Sequence, residues 1–296
     1  FAPKPYAEMT SLEKLLETAS QITSGEERGS IASAVLAAPF RAAGEAAYVP
    51  VVVEVDGPGL LAGTEGAALP AEVYVYALDE AGAIHDFVAQ SFGLETAKAG
   101  PALQQSGLKF FGHLDLPPGS YSVRVLVRNG LTGAYSLRVA PVEVPAWAEG
   151  RPVLLPPLFP EPPGRWLMAR ETQKPGEPQV PYPFMQKGQP YIPASRPVLD
   201  TAQETAVSLV GYHLPAGELK AESKILTRDG RDAGTGVIRL LGREGGGAAG
   251  PDRVAAAVRV PKLAPGEYLL QVTLTGGTGT SQTSAAPFVI GGRAKG

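Results

Sequence analysis

Three histidines carry the most versatile chemistry in this sequence: His85, His113 and His213. A histidine can transfer a proton near neutral pH or bind a metal through a ring nitrogen. Metal sites built on one helix place two histidines a single turn apart, and the sequence contains no such pair. Each histidine lies in or beside a strand-like segment. We therefore interpret all three as partly exposed strand residues and expect neither a metal nor a cofactor.

Two acidic turns are further candidates for a metal. Asp56 stands in the segment VDGPG, and Asp229 and Asp232 both belong to RDGRD. Dedicated calcium loops use a ladder of alternating acids, which neither segment has. Aspartate favours tight turns because its carboxylate accepts hydrogen bonds from the nearby backbone. We therefore assign both segments to turns.

The sequence lacks several motifs of the common enzyme classes. It has no cysteine, no GxSxG elbow and no P-loop. The glycine-rich segment TGGTGTSQTS lacks the lysine and the following helix that hold a phosphate, so we interpret it as a hairpin loop. A pair of catalytic carboxylates, as in glycoside hydrolases, cannot be identified from sequence. We expect a protein that is not an enzyme, and a hydrolase with a site between two domains stays as an alternative.

Aromatic side chains suggest a binding surface rather than a reaction. Tyr74 and Tyr76 alternate with valines, so both rings lie on one face of a strand. Phe110 and Phe111 are adjacent and point to opposite faces. Such rings either stack on a sugar or a partner protein, or they are covered by another part of the chain. Both interpretations stay open at this point.

From about residue 33 onward, apolar residues recur with a period of two, which is typical of β-strands. We therefore expect strands to position these side chains. Seven strand-like segments follow within roughly 110 residues, with turn signals between them. The chain contains 36 glycines and 29 prolines, which suit many turns. This pattern is typical of an immunoglobulin-like β-sandwich.

A repeat indicates a second domain of the same kind. The segment LDLPPGSYSVRVLVRN returns as PKLAPGEYLLQVTLTG, with an offset of 147 residues throughout. A tyrosine that opens the sixth strand of a sandwich forms a tyrosine corner, in which the ring closes the core and the hydroxyl binds a backbone group. The structural residues of the two copies are Gly119, Tyr121, Gly266 and Tyr268.

The predicted fold is all-β, with two immunoglobulin-like or fibronectin III-like β-sandwiches, a short N-terminal helix and a Pro-rich connector. The predicted regions are 1–30 for an N-terminal arm and helix, 31–146 for the first sandwich, 147–200 for the connector, which partly joins the second domain, and 201–296 for the second sandwich. The connector has too many prolines for a helix or a central strand. It contains both tryptophans, Trp147 and Trp166, and its segment GRWLMARE is expected to start the second sandwich.

The N-terminal helix is predicted over residues 11–23. Thr10 followed by Glu13 forms a capping box, and Gly25 is a typical stop. The apolar residues that share one face of this helix are Leu12, Leu15, Leu16 and Ala19. This face either packs on the first sandwich or docks onto a neighbouring domain or subunit.

Charge and hydropathy exclude several partners. The formal net charge is −3 and no basic stripe occurs, which argues against nucleic acid and against an anionic membrane surface. No apolar run reaches the roughly 18 residues that a membrane helix needs. The chain begins with Phe1 rather than methionine, so we expect a processed or excised piece whose signal peptide is not visible.

Several of these segments resemble one family. The chain opens with FAP and continues with VPVVVEVDG, VYVYALDEAGAI, LDLPPGSYSVRVLVRN and YPFMQKGQPYIPASRPVL. This succession resembles the region downstream of the A domain in VWFA-related secreted proteins, which contain a von Willebrand factor A domain and are common in Acidobacteria and related phyla. The resemblance implies an exported protein with a role in adhesion or assembly. It implies no metal residue, because the acidic DxSxS motif of the A domain is absent here.

We therefore predict a non-enzymatic structural or interaction protein, outside the cell or at its surface. Its expected partner is a protein, either a second copy in a homo-oligomer or polymer or another cell-surface component. The candidate interaction residues are Leu12, Leu15, Leu16, Tyr74, Tyr76, Phe110, Phe111, Trp147 and Trp166. A carbohydrate-binding module, in which the strand tyrosines hold a polysaccharide, is the alternative.

Overall fold

A computed structural model of the chain describes residues 4–42, 44, 46–162, 164, 166–172, 182–245, 250–277 and 279–291. The chain divides into two compact units that interleave along the sequence. The first unit comprises Phe1–Ala146 with Gly164–Val180, and the second comprises Trp147–Pro163 with Pro181–Gly296. Both units are built mainly from β-strands, which confirms the predicted fold class.

Strands account for most of the secondary structure among the described residues. In chain order they are β1 (Arg28–Gly29), β2 (Ser33–Ala37), β3 (Phe40–Arg41), β4 (Ala47–Val55), β5 (Ala68–Leu78), β6 (Ile84–Glu95), β7 (Leu108–Leu116), β8 (Gly119–Asn129), β9 (Tyr135–Val144), β10 (Val153–Leu154), β11 (Pro160–Glu161), β12 (Leu167–Arg170), β13 (Met185–Gln186), β14 (Gln189–Pro190), β15 (Ile192–Pro193), β16 (Val198–Leu199), β17 (Thr205–Tyr212), β18 (Leu219–Thr227), β19 (Asp232–Glu244), β20 (Asp252–Arg259), β21 (Gly266–Gly276) and β22 (Ser281–Ile290). The helices are α1 (Ser11–Ser24), α2 (Gly57–Leu61) and α3 (Thr96–Ser106), and Tyr6–Glu8 forms one 3-10 turn.

The first unit is a sandwich of two sheets. One sheet has the order β1-β9-β8-β5-β6, and the other has the order β12-β7-β4-β2 with β3 also paired to β4. Alternate residues of β5 and β8 fill the space between the sheets. These buried residues include Val73, Val75, Val123, Val125 and Val127. Their alternation fixes the register, because a slip of one residue would turn the whole set toward solvent.

The second unit is a sandwich in which one strand belongs to both sheets. The pairing order is β10-β17-β20-β19-β18-β21-β22-β16. β19 pairs with β18 up to Gly236 and with β20 from Val237 onward, so it passes from one sheet to the other. The core between the sheets includes Val207, Leu209, Val254, Leu270, Val272 and Phe288.

Both units follow the same strand order. In the first unit β9-β8-β5-β6 form one sheet and β7-β4 belong to the other; in the second unit the corresponding strands are β22-β21-β18-β19 and β20-β17. The repeated sequence motif falls on β8 and β21, which hold equivalent positions. The prediction of two similar sandwiches is therefore confirmed. The main difference is α3, which lies between β6 and β7, whereas β19 pairs directly with β20.

The boundaries of α1 agree with its sequence signals. The Thr10 hydroxyl accepts a hydrogen bond from the Glu13 backbone, and the Glu13 carboxylate accepts one from the Thr10 backbone at 2.6 Å. Gly25 ends the helix with a left-handed φ of 62°. The sequence patterns did not predict α3, because Pro101 inside it hides a helical pattern that is anchored by the fully buried Leu103.

One connector segment joins the first unit rather than the second. Leu167–Arg170 forms β12, which pairs in parallel with Leu108–Phe111 of β7. The expectation that GRWLMARE starts the second sandwich is therefore wrong. The alternation that predicts a strand is present, but a parallel partner about 60 residues away leaves no local signal in the sequence. Other connector segments, including β10, do pair within the second unit.

Candidate functional site

The helix α1 turns its apolar side to solvent. We call this side the leucine face, and it consists of Leu12, Leu15, Leu16 and Ala19. The three leucines are 64%, 62% and 61% exposed. The buried residues of α1 are Thr18 and Ile22, which lie beside the leucine face. The interpretation that the leucine face packs on the first sandwich is therefore wrong, and docking onto a partner stays a prediction.

A buried arginine explains why α1 has this orientation. Arg128 of β8 is fully buried and donates hydrogen bonds to Thr18 Oγ1 at 2.7 Å and to Gln21 Oε1 at 2.5 Å. It also donates to the Tyr6 hydroxyl at 3.1 Å and lies over the Tyr6 ring. A buried guanidinium needs acceptors to offset its lost hydration. Because those acceptors lie on the Thr18 side of α1, that side turns inward and the leucine face turns outward.

A second arginine holds the end of α1. Arg124 lies four residues before Arg128 on the same face of β8, and it donates to the carbonyls of Ile22 at 2.8 Å and Thr23 at 2.7 Å. The last carbonyls of a helix have no partner within it and form the negative end of its dipole, so a guanidinium is favourable there. The two arginines fix α1 to the sheet, and the leucine face is presented by a rigid element.

Tyr74 and Tyr76 lie next to α1 rather than on an open face. Both rings pack against a cluster that includes Ile22 of α1 and Leu126 of β8. Burial raises the pKa of Tyr74 to about 12, and burial also raises the pKa of Tyr76. The ring of Tyr76 stacks on Phe87 with 5.3 Å between centroids. Much of the surface that a sugar would need is therefore occupied by the chain itself.

The two adjacent phenylalanines lie on opposite faces of β7. Phe110 is fully buried in the first unit and stacks on Phe92, with 6.4 Å between ring centroids. Phe111 lies on the other face, where the guanidinium of Arg170 is 5.9 Å from its ring. Phe110 is therefore a core residue, and its assignment to an interaction surface is wrong.

The two tryptophans belong to different units. Trp147 packs edge-on against Tyr212 in the second unit, with 5.0 Å between ring centroids. Trp166 belongs to the first unit, where the ammonium of Lys109 lies 4.8 Å from its ring. Lys109 also forms an ion pair with Glu54 at 3.0 Å. Each tryptophan thus has a structural contact inside its own unit.

The two repeated tyrosines form equivalent corners. The Tyr121 hydroxyl donates to the Pro117 carbonyl at 2.9 Å, and the Tyr268 hydroxyl donates to the Ala264 carbonyl at 3.0 Å. Both acceptors lie four residues upstream, as in a tyrosine corner. A glycine stands two residues before each tyrosine. A Cβ atom at that position would contact the tyrosine side chain, at 3.3 Å in the first unit and at 3.5 Å in the second. These glycines are Gly119 and Gly266.

The histidines lie in three separate places. His85 pairs with Asp79 at 2.8 Å, and His113 pairs with Glu171, which raises the pKa of His113. His213 follows β17 with a left-handed φ of 52°. Over the described ranges, no group of three or more histidine, aspartate or glutamate side chains is placed to hold a metal.

The acidic turns use their carboxylates for local contacts. Asp56 caps α2 by accepting a hydrogen bond from the Gly59 backbone at 2.7 Å. Asp232 accepts one from the backbone of its own turn at 2.7 Å, and Asp229 forms an ion pair with Arg231 at 2.7 Å. These contacts are those of turn residues.

Sequence reasoning did not identify the arginines that hold α1. Arg124 and Arg128 alternate with Leu126 on the outer face of β8, opposite the buried valines. Two arginines on one face of a central strand are a signal that something polar covers that face, since unpaired charges are rarely buried.

Among the described residues, no helix has the length and apolar character needed to cross a bilayer.

The comparisons with known proteins identify no family for this chain. No protein-family model matches the sequence, and no curated protein matches it. The chain is similar to the C-terminal domain of the Streptococcus pyogenes antigen I/II-family protein AspA, with 10% identity, coverage of 89% of this chain and 99% of that one, and a TM-score of 0.24. It is similar to the C-terminal domain of the Streptococcus agalactiae AgI/II polypeptide BspA, with 10% identity, 88% and 99% coverage, and a TM-score of 0.21. The purple acid phosphatase PPD1 from yellow lupin (Lupinus luteus) seeds gives 10% identity, 87% and 41% coverage, and a TM-score of 0.24.

TM-scores this low carry no argument about function. The fold class rests on the strand order of the chain itself, which defines a tandem β-sandwich protein.

Proposed function

We propose that this chain is an exported, non-enzymatic interaction protein that associates with a second copy of itself through the leucine face of α1. The observation that carries the proposal is the exposure of three neighbouring leucines on a helix whose polar side is fixed by buried hydrogen bonds. A contiguous apolar surface on a rigid element is typical of a protein interface. Exposing it to water permanently would be unfavourable.

The composition of the leucine face suits pairing with an identical face. The helix residues that border it are Ser11, Ser20 and Thr23, which carry no charge, and Glu13, whose charge is paired with Lys4 at 2.8 Å. Two copies can therefore meet without like-charge repulsion. In an antiparallel pair about a two-fold axis between Leu15 and Leu16, Leu12 would lie opposite Ala19, so a large side chain would meet a small one.

An extracellular location and a role in adhesion or assembly belong to the same proposal. They are supported by the resemblance of several segments to the region downstream of the A domain in VWFA-related secreted proteins. The turn contacts of the acidic residues and the separation of the histidines favour binding over catalysis.

A single introduced thiol tests where the copies meet. The sequence has no cysteine, so a Ser20→Cys variant carries one spin label beside the leucine face. We expect dipolar coupling between labels on different molecules at high protein concentration. A matched Ser120→Cys label, at the exposed start of β8, is expected to give none. Coupling at Ser120 alone, or at neither position, would contradict association through α1.

A further inference from the structure

One face of the second unit buries polar atoms that make no hydrogen bond of normal geometry. They are the Tyr191 hydroxyl, Ser208 Oγ and Arg253 Nε. In the antiparallel pair of β17 and β20, Ser208 is opposite Ala255 and Val210 is opposite Arg253. Ser208 and Arg253 therefore lie diagonally on the same face, the one that points away from the core. Buried polar groups without partners are rare, and each one calls for a missing partner.

A hairpin of the connector covers this face. β13 and β14 pair with each other, and Phe184 just before them is fully buried. Tyr191 follows the hairpin with its ring 6.0 Å from that of Phe184. Burial raises the pKa of Tyr191, whereas the Ser208 hydroxyl and the Arg253 guanidinium act to lower it, so the three groups are close together. The hairpin thus covers a cluster that contains polar groups as well as the buried Phe184 ring.

A cavity of about 170 Å³ adjoins this cluster. Its charged lining residues are Lys187, Arg243, Glu244 and Arg253. Arg243 is already engaged by Asp252 at 3.1 Å and by the carbonyl of Pro215 at 2.8 Å. Lys187 and Arg253 are therefore the cations of the cavity lining whose N–H groups are not engaged by these contacts. A volume of this size holds a small polyatomic ion together with water.

The backbone at Lys187 gives an independent indication. Lys187 and Gly188 form the two-residue turn of the hairpin with φ angles of 51° and 69°. Such turns favour glycine or asparagine at both positions, because other side chains are strained there. Strained residues concentrate at functional sites. The hairpin therefore places a lysine beside the cavity at a position where glycine would fold more easily.

We infer that this cavity is a binding site for a small oxyanion, such as phosphate or sulfate, held by Lys187 and Arg253. A guanidinium recognises oxyanions through several parallel donors, and an ammonium adds a mobile positive charge. The Tyr191 and Ser208 hydroxyls lie near Arg253 but outside the lining of the cavity. The site lies in the second unit and does not depend on the proposed association through α1.

Isothermal titration of the full chain with inorganic phosphate, and separately with sulfate, tests this site at constant ionic strength. We expect saturable binding to the wild type and at least roughly tenfold weaker binding to Lys187→Gly and Arg253→Gln. Lys187→Gly is the decisive variant, because glycine suits the left-handed turn and the variant is expected to fold as well as the wild type.

The matched control is Lys224→Gln, which removes an exposed lysine of β18 outside the cavity. It is expected to bind as the wild type does. No saturable binding to the wild type would overturn the inference. Equal weakening in Lys224→Gln would also overturn it, because that result indicates general attraction to positive charge.

Discussion

Replacing Arg128 with methionine is expected to release α1 from the sheet. The substitution keeps most of the side-chain volume but removes the donors to Thr18, Gln21 and Tyr6. The Thr18 and Tyr6 hydroxyls would keep the bonds that they donate to the Lys14 carbonyl and to Glu72, but they and Gln21 would lose their buried donor, and Glu72 would lose the cation 3.9 Å away. Removing one member of a buried charged network costs about 3–5 kcal/mol. Ile22 still packs on the sheet, so we expect this loss in the local opening of α1 more than in global unfolding.

Native-state hydrogen exchange measures this opening directly. A loss of about 3–5 kcal/mol lowers the protection of the α1 amides by roughly two to four powers of ten. Arg239→Met is the control, because Arg239 is exposed and forms a surface ion pair with Glu204 in the second unit. Unchanged α1 protection in Arg128→Met would refute the argument that this arginine orients the helix.

Three further predictions concern the corners, a pH-dependent pair and the helix cap. Tyr121→Phe removes a partly buried hydrogen bond and is expected to lower the free energy of unfolding by about 1 kcal/mol in urea titrations, more than Tyr268→Phe, whose hydrogen bond is exposed. Equal losses would contradict the role of burial. Glu171 raises the pKa of His113 above its ordinary value of 6.5, so the pair stabilises the fold fully below pH 6.5 and this stabilisation is lost as pH rises through the raised pKa. Thermal melts on the alkaline side should show that loss, and a His113→Gln variant that keeps the same pH dependence would disprove it. Thr10→Ala removes the cap of α1 and is expected to cost about 1 kcal/mol of helix stability, seen as faster exchange in its first turn; unchanged exchange there would argue against the cap.

The sequence predicts those parts of the fold that depend on local patterns. The alternation around Val123 and Val125 predicts β8, and the spacing of Thr10 and Glu13 predicts the start of α1. The tyrosine of each repeated segment likewise marks one strand in both units. These features can be predicted because the side chains that determine them lie within a few residues of each other.

Features that depend on distant partners could not be predicted. The spacing of the leucines alone predicts that the leucine face packs on the core. Its exposure follows from the contacts of Arg128, which is more than 100 residues away in sequence. The parallel pairing of Leu167–Arg170 depends on β7 in the same way. The cavity beside Lys187 requires β19, β20 and the connector hairpin to be in place, and no single segment indicates it.

Sedimentation equilibrium over a wide range of concentrations tests the central claim most directly. The wild-type mass is expected to rise from that of the 30.7 kDa monomer toward the dimer as concentration increases. Leu15→Glu should remain monomeric, because it places a charge in the middle of the leucine face. Leu241→Glu, at an exposed leucine of β19, should associate as the wild type does. A wild type that stays monomeric throughout, or a Leu15→Glu variant that associates equally well, would contradict the account.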